Sequence, residues 1–490
     1  MKKVTVIGSG FSSLAAATIL AAKGLDVTVV EKNSEIGGRA RKFEAQGFMF
    51  DMGPSWYWMP DVFENYFALF GKSPKDYYEL KRLDPSYRVF FEDEIIDMPA
   101  DLNELTELFE KREKGAGKQL MRFLEDASVK YDAGMKDLVF KPGESLLEFA
   151  NWKVFKGVFS LDLFSNFHDC ARKYFKDPKL LSIIEFPVLF LGAMPRKTPA
   201  LYSLMNYADI KLGTWYPMGG MHKIVEAMQE LALEKGVKFR LGESVEHIEE
   251  NGGMNVTTSS GQIKSDYVVG GADYHHIETQ LLRAEDQQYD AKYWDSRVMA
   301  PSCLLYYVGI GKEVEGLNHH NLFFDAPFDQ HSEEIYETKQ WPKNPLFYVC
   351  CPSKTDDSVA PKGYENLFIL IPIAAGIEGD TEKVRGEYFQ KVITRIEKKT
   401  GTSISNDIVY KRSYCLKDFQ SDYNAFRGNA YGLANTLRQT AILKPRLRHK
   451  KLRNLFYTGQ LTTPGPGMPP SLISGQVAAN EILKDIKRNS

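Results

Sequence analysis

The amino-acid sequence predicts an α/β fold with a parallel sheet near its start. The β-branched run Lys3–Ile7 is typical of a strand that is buried on both faces. The alanine-rich residues 14–22 follow and predict a helix that is closed by Gly24. A second apolar run, residues 27–30, completes a strand–helix–strand unit, which is the building block of parallel sheets.

The turn between the first strand and the helix has the spacing of a dinucleotide-binding loop. Gly8 permits the sharp turn, and Gly10 has no Cβ, so a pyrophosphate can approach backbone N–H groups at the positive end of the helix. Ser13 stands where this pattern prefers Gly or Ala, and it is small enough for helix–strand packing. Glu31 ends the second strand and can accept hydrogen bonds from ribose hydroxyls. These parts together predict nucleotide binding rather than an ordinary glycine turn.

Length and composition limit the class of protein. A chain of 490 residues exceeds what one core usually serves, so two or three domains are expected. A formal net charge of -2 gives no support to nucleic-acid binding. The five cysteines contain no C-x-x-C pair, so we expect a reducing cytoplasm and neither a disulfide framework nor a zinc site.

No stretch of the sequence is apolar enough to predict a membrane span. The best candidate, residues 183–194, is short and is interrupted by Glu185 and Pro187. The N-terminus resembles a signal peptide in having Lys2 and Lys3 before an apolar stretch. A cleaved leader would not explain the glycine turn and the acid that follow, so export is not expected.

The region after the first unit is predicted to be mostly helical. Residues 61–83 have a helical pattern, Tyr87–Phe91 and residues 94–98 indicate a hairpin in a second layer, and residues 102–206 predict helices. This last stretch is rich in phenylalanine: Phe140, Phe149, Phe155, Phe159, Phe164, Phe167, Phe175, Phe186 and Phe190. These side chains are expected either to form a helical core or to line an apolar tunnel or a membrane contact.

Residues 215–285 predict a return to the first domain. A Gly-Gly pair precedes a helix at residues 222–233, and Tyr267–Gly270 predicts a strand that leads into a ligand-facing turn. His275 and His276 are adjacent on the next helix and point to different faces, so we expect solvent-exposed polar residues rather than a metal pair.

The rest of the chain predicts a second, mixed sheet. Residues 300–309, 346–351 and 366–373 have strand composition, and residues 381–399 predict a surface helix. Residues 454–460 then predict a strand that ends in a glycine turn. The segment 464–475, rich in proline and glycine, is expected to lead into a helix at residues 476–486.

Several motifs, in order and over nearly the full length, resemble the phytoene desaturase branch of the FAD-dependent amine oxidase superfamily, the bacterial carotenoid desaturases. They are the glycine turn, Gly37-Gly38-Arg39-Ala40, Phe50-Asp51-Met52-Gly53-Pro54-Ser55, residues 217–221, Ala272-Asp273, Asp418-Phe419, residues 426–432 and the closing motif at 464–475. The closing motif departs from the commoner family form at residues 463–466 and at Ser471, a departure that bears on the identity of the carotenoid.

The resemblance implies a two-domain FAD flavoprotein with a Rossmann-type nucleotide-binding domain, a mixed-sheet substrate domain and a helical membrane-associating region. The implied FAD-binding domain comprises residues 1–85, 215–285 and 441–490. The helical region comprises residues 86–214, and the substrate domain residues 286–440.

The resemblance also implies the site residues. Those expected to contact FAD are Gly8, Gly10, Phe11, Ser12, Ser13, Glu31, Lys32, Gly38, Arg39, Gly53, Pro54, Ser55, Val245, Ala272, Asp273, Gly459, Gly467 and Met468. The start of the last helix would favour the negative charge that develops on the flavin. Three polar residues, Glu148, His168 and Arg172, are expected to lie near the cavity. No catalytic residue and no metal ligand is assigned.

The implied activity is desaturation of a C40 carotenoid, by a phytoene desaturase or by a 3,4-desaturase of hydroxylated or monocyclic carotenoids. Hydride would pass from an allylic carbon to flavin N5, and reduced flavin would pass electrons to oxygen or a quinone. Because the substrate lives in the bilayer, monotopic attachment to the inner face of the cell membrane is expected, on the cytoplasmic side. Two alternatives remain, namely an FAD amine oxidase and a non-enzymatic prenyl-lipid carrier on the same fold.

Overall fold

The computed structural model describes residues 1–145, 148, 165–189, 192–436 and 439–489. Its strands are β1 Lys3–Ile7, β2 Asp26–Glu31, β3 Lys42–Ala45, β4 Phe48–Asp51, β5 Leu80–Arg82, β6 Tyr87–Phe91, β7 Ile95–Met98, β8 Trp215–Pro217, β9 Lys238–Leu241, β10 Val245–Glu250, β11 Met254–Thr258, β12 Gly261–Ser265, β13 Tyr267–Gly270, β14 Ser302–Ile310, β15 His320–Phe324, β16 Phe347–Cys350, β17 Glu365–Ile373, β18 Ile408–Tyr414 and β19 Leu455–Tyr457.

The helices of five residues or more are α1 Phe11–Ala22, α2 Pro60–Ala68, α3 Leu102–Arg112, α4 Ala116–Ala133, α5 Phe167–Arg172, α6 Pro178–Leu189, α7 His222–Glu234, α8 Ala291–Asp295, α9 Phe328–Tyr336, α10 Glu382–Thr400, α11 Leu416–Tyr423 and α12 Met468–Arg488. Shorter helical turns are Leu204–Asn206 and Tyr274–His276, and π-helical turns are Gly134–Leu138, Tyr207–Lys211 and Ile277–Leu281. Single 3-10 turns are Gly38–Ala40, Pro74–Asp76, Ala200–Ser203, Pro352–Lys354, Ser405–Asp407, Phe426–Gly428 and Ala441–Leu443.

A five-stranded sheet in the order β19-β13-β1-β2-β9 draws its strands from the beginning, the middle and the end of the chain. All of its strand pairs are parallel. Its two faces belong to different cores: Val6 and Val269 pack with α1 and α12, and Ile7 and Val268 pack with Val256 of β11. The sheet is therefore covered on both faces, as a parallel sheet requires.

The helices α1 and α12 cross in very close contact. A Cβ on Gly475 of α12 would lie 2.1 Å from the carbonyl oxygen of Ser12 and 2.9 Å from the Cβ of Ala15. The prediction that the last helix starts at residue 476 is wrong, because α12 begins at Met468 with its prolines in the first turn. Gly475 thus lies inside the helix, where it permits the crossing.

A seven-stranded mixed sheet, in the order β18-β14-β17-β16-β15-β6-β7, forms a second layer. Its pairs are antiparallel except β15 with β6. The central strands β14 and β17 present one set of residues to α10, among them Leu304 and Ile369, and the alternate set to the other core, among them Leu305 and Phe368. This period of two turns one face of the sheet toward α10 and the other toward the first core.

Part of the prediction for residues 61–83 is wrong. Helix α2 ends at Ala68, and Leu80–Arg82 forms strand β5, which pairs with Trp215–Pro217. Gly71 adopts a φ of +71° just after the helix, and the partner strand is distant in sequence, so no local pattern could indicate the pairing.

The described phenylalanines of the helical region are mostly buried. Phe167, Phe175 and Phe186 belong to the core, whereas Phe140 is 41% exposed. The stretch 183–188 is buried as well, so its apolar side chains serve packing. Phe149, Phe155, Phe159, Phe164 and Phe190 lie outside the described residues. Within the described ranges, no helix is both long and apolar enough to cross a bilayer.

The crossing of α1 and α12 gives a direct test of the packing. We expect Gly475→Ala to lower the free energy of unfolding by about 1–3 kcal/mol, because the added methyl overlaps the backbone of Ser12. The matched control is Gly386→Ala in α10, where a Cβ meets no atom within 4 Å. This control should raise the free energy of unfolding by about 0.5–1 kcal/mol. Denaturant unfolding measures both, and equal effects at the two positions would contradict the packing described.

Candidate functional site

One large cavity lies between the two sheets and encloses about 2320 Å³, its open mouth included. Every residue predicted to contact FAD lines it except Ser13: Gly8, Gly10, Phe11, Ser12, Glu31, Lys32, Gly38, Arg39, Gly53, Pro54, Ser55, Val245, Ala272, Asp273, Gly459, Gly467 and Met468. Segments from both ends and from the middle of the chain therefore meet at one site.

The glycine loop after β1 shapes the wall of this cavity. Gly8 has a φ of +89°, and a Cβ there would come within 3.3 Å of the backbone of Gly271 and Ala272. A Cβ on Gly10 would meet no protein atom within 4 Å, because that side of the residue faces open cavity. The loop thus leaves a space at the N-terminus of α1 that suits a phosphate.

Ser13 has a packing role in this structure. It is fully buried, and a Cβ on Gly271 would lie 1.9 Å from its Oγ. Ser13 and Gly271 therefore hold α1 close to the end of β13, behind the cavity wall. Ser13 is not among the residues that line the cavity, and the helix–strand packing expected at this small residue is present. A contact of Ser13 with FAD stays a prediction.

Glu31 fixes the glycine loop to the end of β2. Its Oε2 accepts hydrogen bonds from the backbone N (2.9 Å) and the Oγ (2.8 Å) of Ser9. Its Oε1 accepts from the backbone N and from Nδ2 of Asn33, both at 2.9 Å. The side chain is 4% exposed, so these bonds satisfy a buried carboxylate. A contact of Glu31 with a ribose stays a prediction.

Arg39 brings positive charge to the cavity without a paired acid. Its Nη2 donates to the carbonyl of Asn429 at 3.1 Å, and its guanidinium lies 5.1 Å from the centre of the Tyr423 ring. Its Nε is buried and has no hydrogen-bond partner. Burial lowers the pKa of Arg39, since no carboxylate in the described ranges forms an ion pair with it. An anion bound in the cavity would satisfy this group.

The last helix contributes its N-terminus to the same cavity. Gly467, with a φ of +109°, caps α12, and Met468 starts it. Ser474 Oγ lies 3.0 Å from Thr458 Oγ1 and accepts from the backbone N of Gly459 at 3.0 Å. The end of β19 is thereby held against α12, and the helix N-terminus offers a site that favours negative charge.

The segment after β13 is more buried than its sequence indicates. Asp273 accepts hydrogen bonds from the backbone N of His276 and of Phe426, both at 3.2 Å. His275 stacks on Phe426 with ring centres 4.0 Å apart, and His276 lines the cavity. Burial lowers the pKa of both histidines. The prediction that they are solvent-exposed is wrong, because the loop at Phe426, distant in sequence, covers His275, and His276 is half-buried in the cavity wall.

An apolar lining completes the cavity and was not assigned residue by residue from the sequence. It includes Trp56, Trp58, Met205, Cys303, Leu305, Tyr348, Phe368, Leu370, Phe419, Ala430, Tyr431 and Leu461. Four of these alternate with core residues on β14 and β17. Both faces of these strands are apolar in sequence, so the periodicity of two indicates the alternation but not which face meets a ligand.

Three buried side chains could hold a metal ion. Ligand atoms of His319, His320 and Cys350 lie within 4.8 Å of one another. Each histidine already has a partner at Nδ1, Thr355 Oγ1 at 2.8 Å and Tyr348 Oη at 2.6 Å, and each Nε2 has none. Burial lowers the pKa of His319 to about 3, so its ring is neutral at pH 7. No ligand spacing in the sequence predicts this cluster, which strand pairing assembles.

The polar residues expected near the cavity, Glu148, His168 and Arg172, do not line it. Glu148 accepts from the backbone N of Gly143 and of two following residues. His168 and Arg172 both contact Glu185, at 3.2 Å and 2.5 Å. These groups stabilise loops and helix contacts, and none of them is among the lining residues.

The residues around the cavity fit a flavin dinucleotide. The open space at Gly10 and the α1 N-terminus suit the pyrophosphate, and the unpartnered Nε of Arg39 suits its charge. The α12 N-terminus and the apolar lining suit a flat ring system beside an apolar substrate. These features define a dinucleotide-binding oxidoreductase whose cavity lies between a parallel five-stranded sheet and a mixed seven-stranded one.

Comparisons with known proteins agree with this class. The family described as flavin containing amine oxidoreductase matches residues 11–483. A carotenoid 3,4-desaturase from Haloarcula japonica is 43% identical over 99% of this chain and 98% of that protein. The zeta-carotene-forming phytoene desaturase of Myxococcus xanthus is 31% identical over 98% of this chain and 94% of its own length. The structure of cyclohexylamine oxidase from Brevibacterium oxydans shares the fold, with a TM-score of 0.62 at 15% identity, and the alignment covers 99% of both chains.

The chain belongs to the flavin containing amine oxidoreductase family, in its carotenoid desaturase branch. The similarity to cyclohexylamine oxidase shows a shared fold and nothing about activity.

The space at Gly10 gives a test of the flavin site. We expect Gly10→Val to fold normally, because its Cβ meets no protein atom and its φ of -73° suits any residue. The added side chain fills the phosphate space, so flavin affinity should fall by about 100-fold, the equivalent of losing one to two hydrogen bonds to a charged group. Gly386→Val is the control for a glycine with open surroundings away from the cavity. Titration of apoprotein with FAD measures affinity, and a full flavin content in Gly10→Val would contradict the assignment.

Proposed function

We propose that the protein is an FAD-dependent carotenoid desaturase that forms the 3,4 double bond of an acyclic or monocyclic carotenoid. The observation that carries the proposal is the 43% identity to a carotenoid 3,4-desaturase across almost the full length of both chains. The cavity supports it, because a polar wall with the nucleotide motifs continues into an apolar lining on the seven-stranded sheet.

The chemistry divides between the cofactor and the chain. The glycine loop at Gly10, the guanidinium of Arg39 and the start of α12 would hold the flavin, which would supply a two-electron acceptor for the hydride of an allylic carbon. Loss of that hydride, together with a proton that would pass from the neighbouring carbon to bulk water, would leave a new C=C bond. The apolar residues Leu305, Phe368 and Leu370 align the hydrocarbon and exclude water, and such positioning is the main protein contribution where no carbonyl must be polarised. We further propose that oxygen or a quinone reoxidises the flavin.

The assay separates this function from its alternatives. Protein reconstituted with FAD is incubated with phytoene, with a hydroxylated acyclic carotenoid and with a monocyclic one, and the products are separated by chromatography. We expect a product two hydrogens lighter, with absorption at longer wavelength because conjugation is extended. Anaerobic substrate addition should bleach the flavin, and readmission of oxygen or of a quinone should restore its colour.

Two results would overturn the desaturase proposal. Oxidation of an amine panel with peroxide release, and no carotenoid product, would indicate an amine oxidase. A preparation that binds no flavin but carries prenyl lipids would indicate a carrier on the same fold.

We also propose that the protein takes its substrate from the cytoplasmic face of the cell membrane. Transfer of a C40 hydrocarbon to water is unfavourable, at about 0.8 kcal/mol for each CH₂ group. Direct uptake from the bilayer avoids this transfer. The described helical region exposes Met121, Val129 and Phe140, at 44%, 55% and 41%. We infer that these three side chains belong to the membrane contact.

A liposome flotation experiment tests this contact. The triple variant Met121→Glu, Val129→Glu, Phe140→Glu should lose about 10-fold or more of its membrane affinity, because insertion of three exposed apolar groups of this size into the bilayer contributes at least about 1.4 kcal/mol. The control carries the same change at Leu69, Leu233 and Val409, which are exposed to a similar degree elsewhere. Equal flotation of the two variants would contradict the proposed surface.

A further inference from the structure

A cluster of three buried side chains contains two nitrogen atoms without a partner. His319, His320 and Cys350 are 5%, 0% and 2% exposed. The Nε2 atom of each histidine is buried and has no hydrogen-bond partner in the part of the chain that the structure describes. Buried polar atoms are nearly always paired, so two neighbouring unpaired nitrogens need an explanation.

Strand pairing brings the three side chains together. His320 begins β15 and pairs directly with Cys350, the last residue of β16. The ring centres of His319 and His320 lie 4.5 Å apart. One ligand atom from each of the three residues lies within 4.8 Å of the other two. Metal bonds of about 2.0 Å to nitrogen and about 2.3 Å to sulfur hold three ligand atoms roughly 3.5–3.7 Å apart, so side-chain shifts of about 1 Å would close the cluster on an ion.

The other nitrogen of each ring has the partner that a metal ligand needs. Nδ1 of His319 lies 2.8 Å from Oγ1 of Thr355, and Nδ1 of His320 lies 2.6 Å from Oη of Tyr348. Histidines that bind metals almost always donate their second ring N–H to an oxygen, which fixes the tautomer and the ring orientation. With the proton on Nδ1, each Nε2 presents a lone pair to the cluster.

Aromatic packing does not explain the two nitrogens. His320 stacks on Trp56 with ring centres 4.0 Å apart, and the ring of Tyr216 lies 4.6 Å from that of His319. These ring contacts are equally available to a phenylalanine, which has no nitrogen to leave unpaired. The unpaired Nε2 atoms are therefore complementary to a ligand rather than to the surrounding rings.

The donor set of the cluster selects the ion. Two neutral imidazoles and one thiolate carry a single negative charge. A monovalent ion makes such a buried site neutral, whereas a divalent ion leaves one positive charge uncompensated in a dry environment. Cu(I) combines a single positive charge with a preference for thiolate and imidazole ligands.

We propose that His319, His320 and Cys350 form a three-coordinate site for Cu(I) behind the wall of the flavin cavity. Trp56 and Tyr348, which contact His320, both line that cavity. On binding, the S–H bond of Cys350 breaks, a Cu–S bond forms and the proton passes to solvent, with no change of oxidation state. Neither flavin nor carotenoid takes part in this binding.

Anaerobic titration with Cu(I), in competition with a chromogenic Cu(I) chelator, measures the stoichiometry and the Kd of the flavin-loaded protein. The ligand variants are Cys350→Ser and His319→Gln. The matched control is Cys351→Ser, because this neighbouring buried thiol belongs to the core on the opposite face of the sheet. Thr355→Val removes only the partner of Nδ1 of His319. X-ray absorption identifies the atoms bound to copper, and thermal unfolding and flavin content are recorded for every variant.

Wild type and Cys351→Ser should each bind one Cu(I) ion, with one sulfur and two nitrogen ligands. Cys350→Ser and His319→Gln should weaken binding by more than about 100-fold. Thr355→Val should weaken it by about 10- to 100-fold, the usual cost of removing the hydrogen-bond partner of a metal ligand, and should leave flavin content unchanged.

Three results would overturn the inference. They are wild-type protein that takes up no Cu(I), equal affinity in Cys350→Ser and Cys351→Ser, and occupancy by Zn²⁺ when both ions are offered at equal concentration. Should the ligand variants fail to fold, Thr355→Val decides, because undiminished affinity in that variant would also contradict the site.

Discussion

The rest of the structure depends on the packing of the first helix against the last. Gly475 of α12 approaches the backbone of Ser12 so closely that no side chain fits between them. The next residue toward the N-terminus, Ser474, contacts Thr458 and Gly459, so the same turn of α12 also holds the end of β19. Two helix N-termini and a strand end are thereby brought to one cavity, which neither end of the chain could form alone.

The cavity has a charged wall for the cofactor and an apolar wall for the substrate. Positive charge from Arg39 and the helix N-termini faces the nucleotide wall, and Glu31 secures that wall from behind. The seven-stranded sheet supplies side chains without charge, among them Leu305 and Phe368. Electrostatic stabilisation is thus confined to the cofactor wall, and the substrate wall is left to shape and hydrophobic contact.

Local sequence patterns predicted helices and strands correctly where the preferences of neighbouring residues determine the backbone conformation. The unit from Lys3 to Glu31 is present in the structure, and so are the strands β14 and β17. The failures share one cause. Residues 80–82 became a strand because Trp215–Pro217 pairs with them, and His275 is covered because the loop at Phe426 folds over it. Each depends on a segment far away in sequence, and propensity carries no information about such a segment.

The sequence by itself determined the cofactor class, since Gly8, Gly10 and Arg39 carry their chemistry in residue type and spacing. It also determined that the first strand, Lys3–Ile7, is buried on both faces. Only the tertiary structure decided that one face of β14 and β17 meets the cavity and that the loop at Phe426 covers His275. The physical reason is that backbone conformation follows from local sterics, whereas burial and partnership of a side chain follow from contacts between elements that no local pattern encodes.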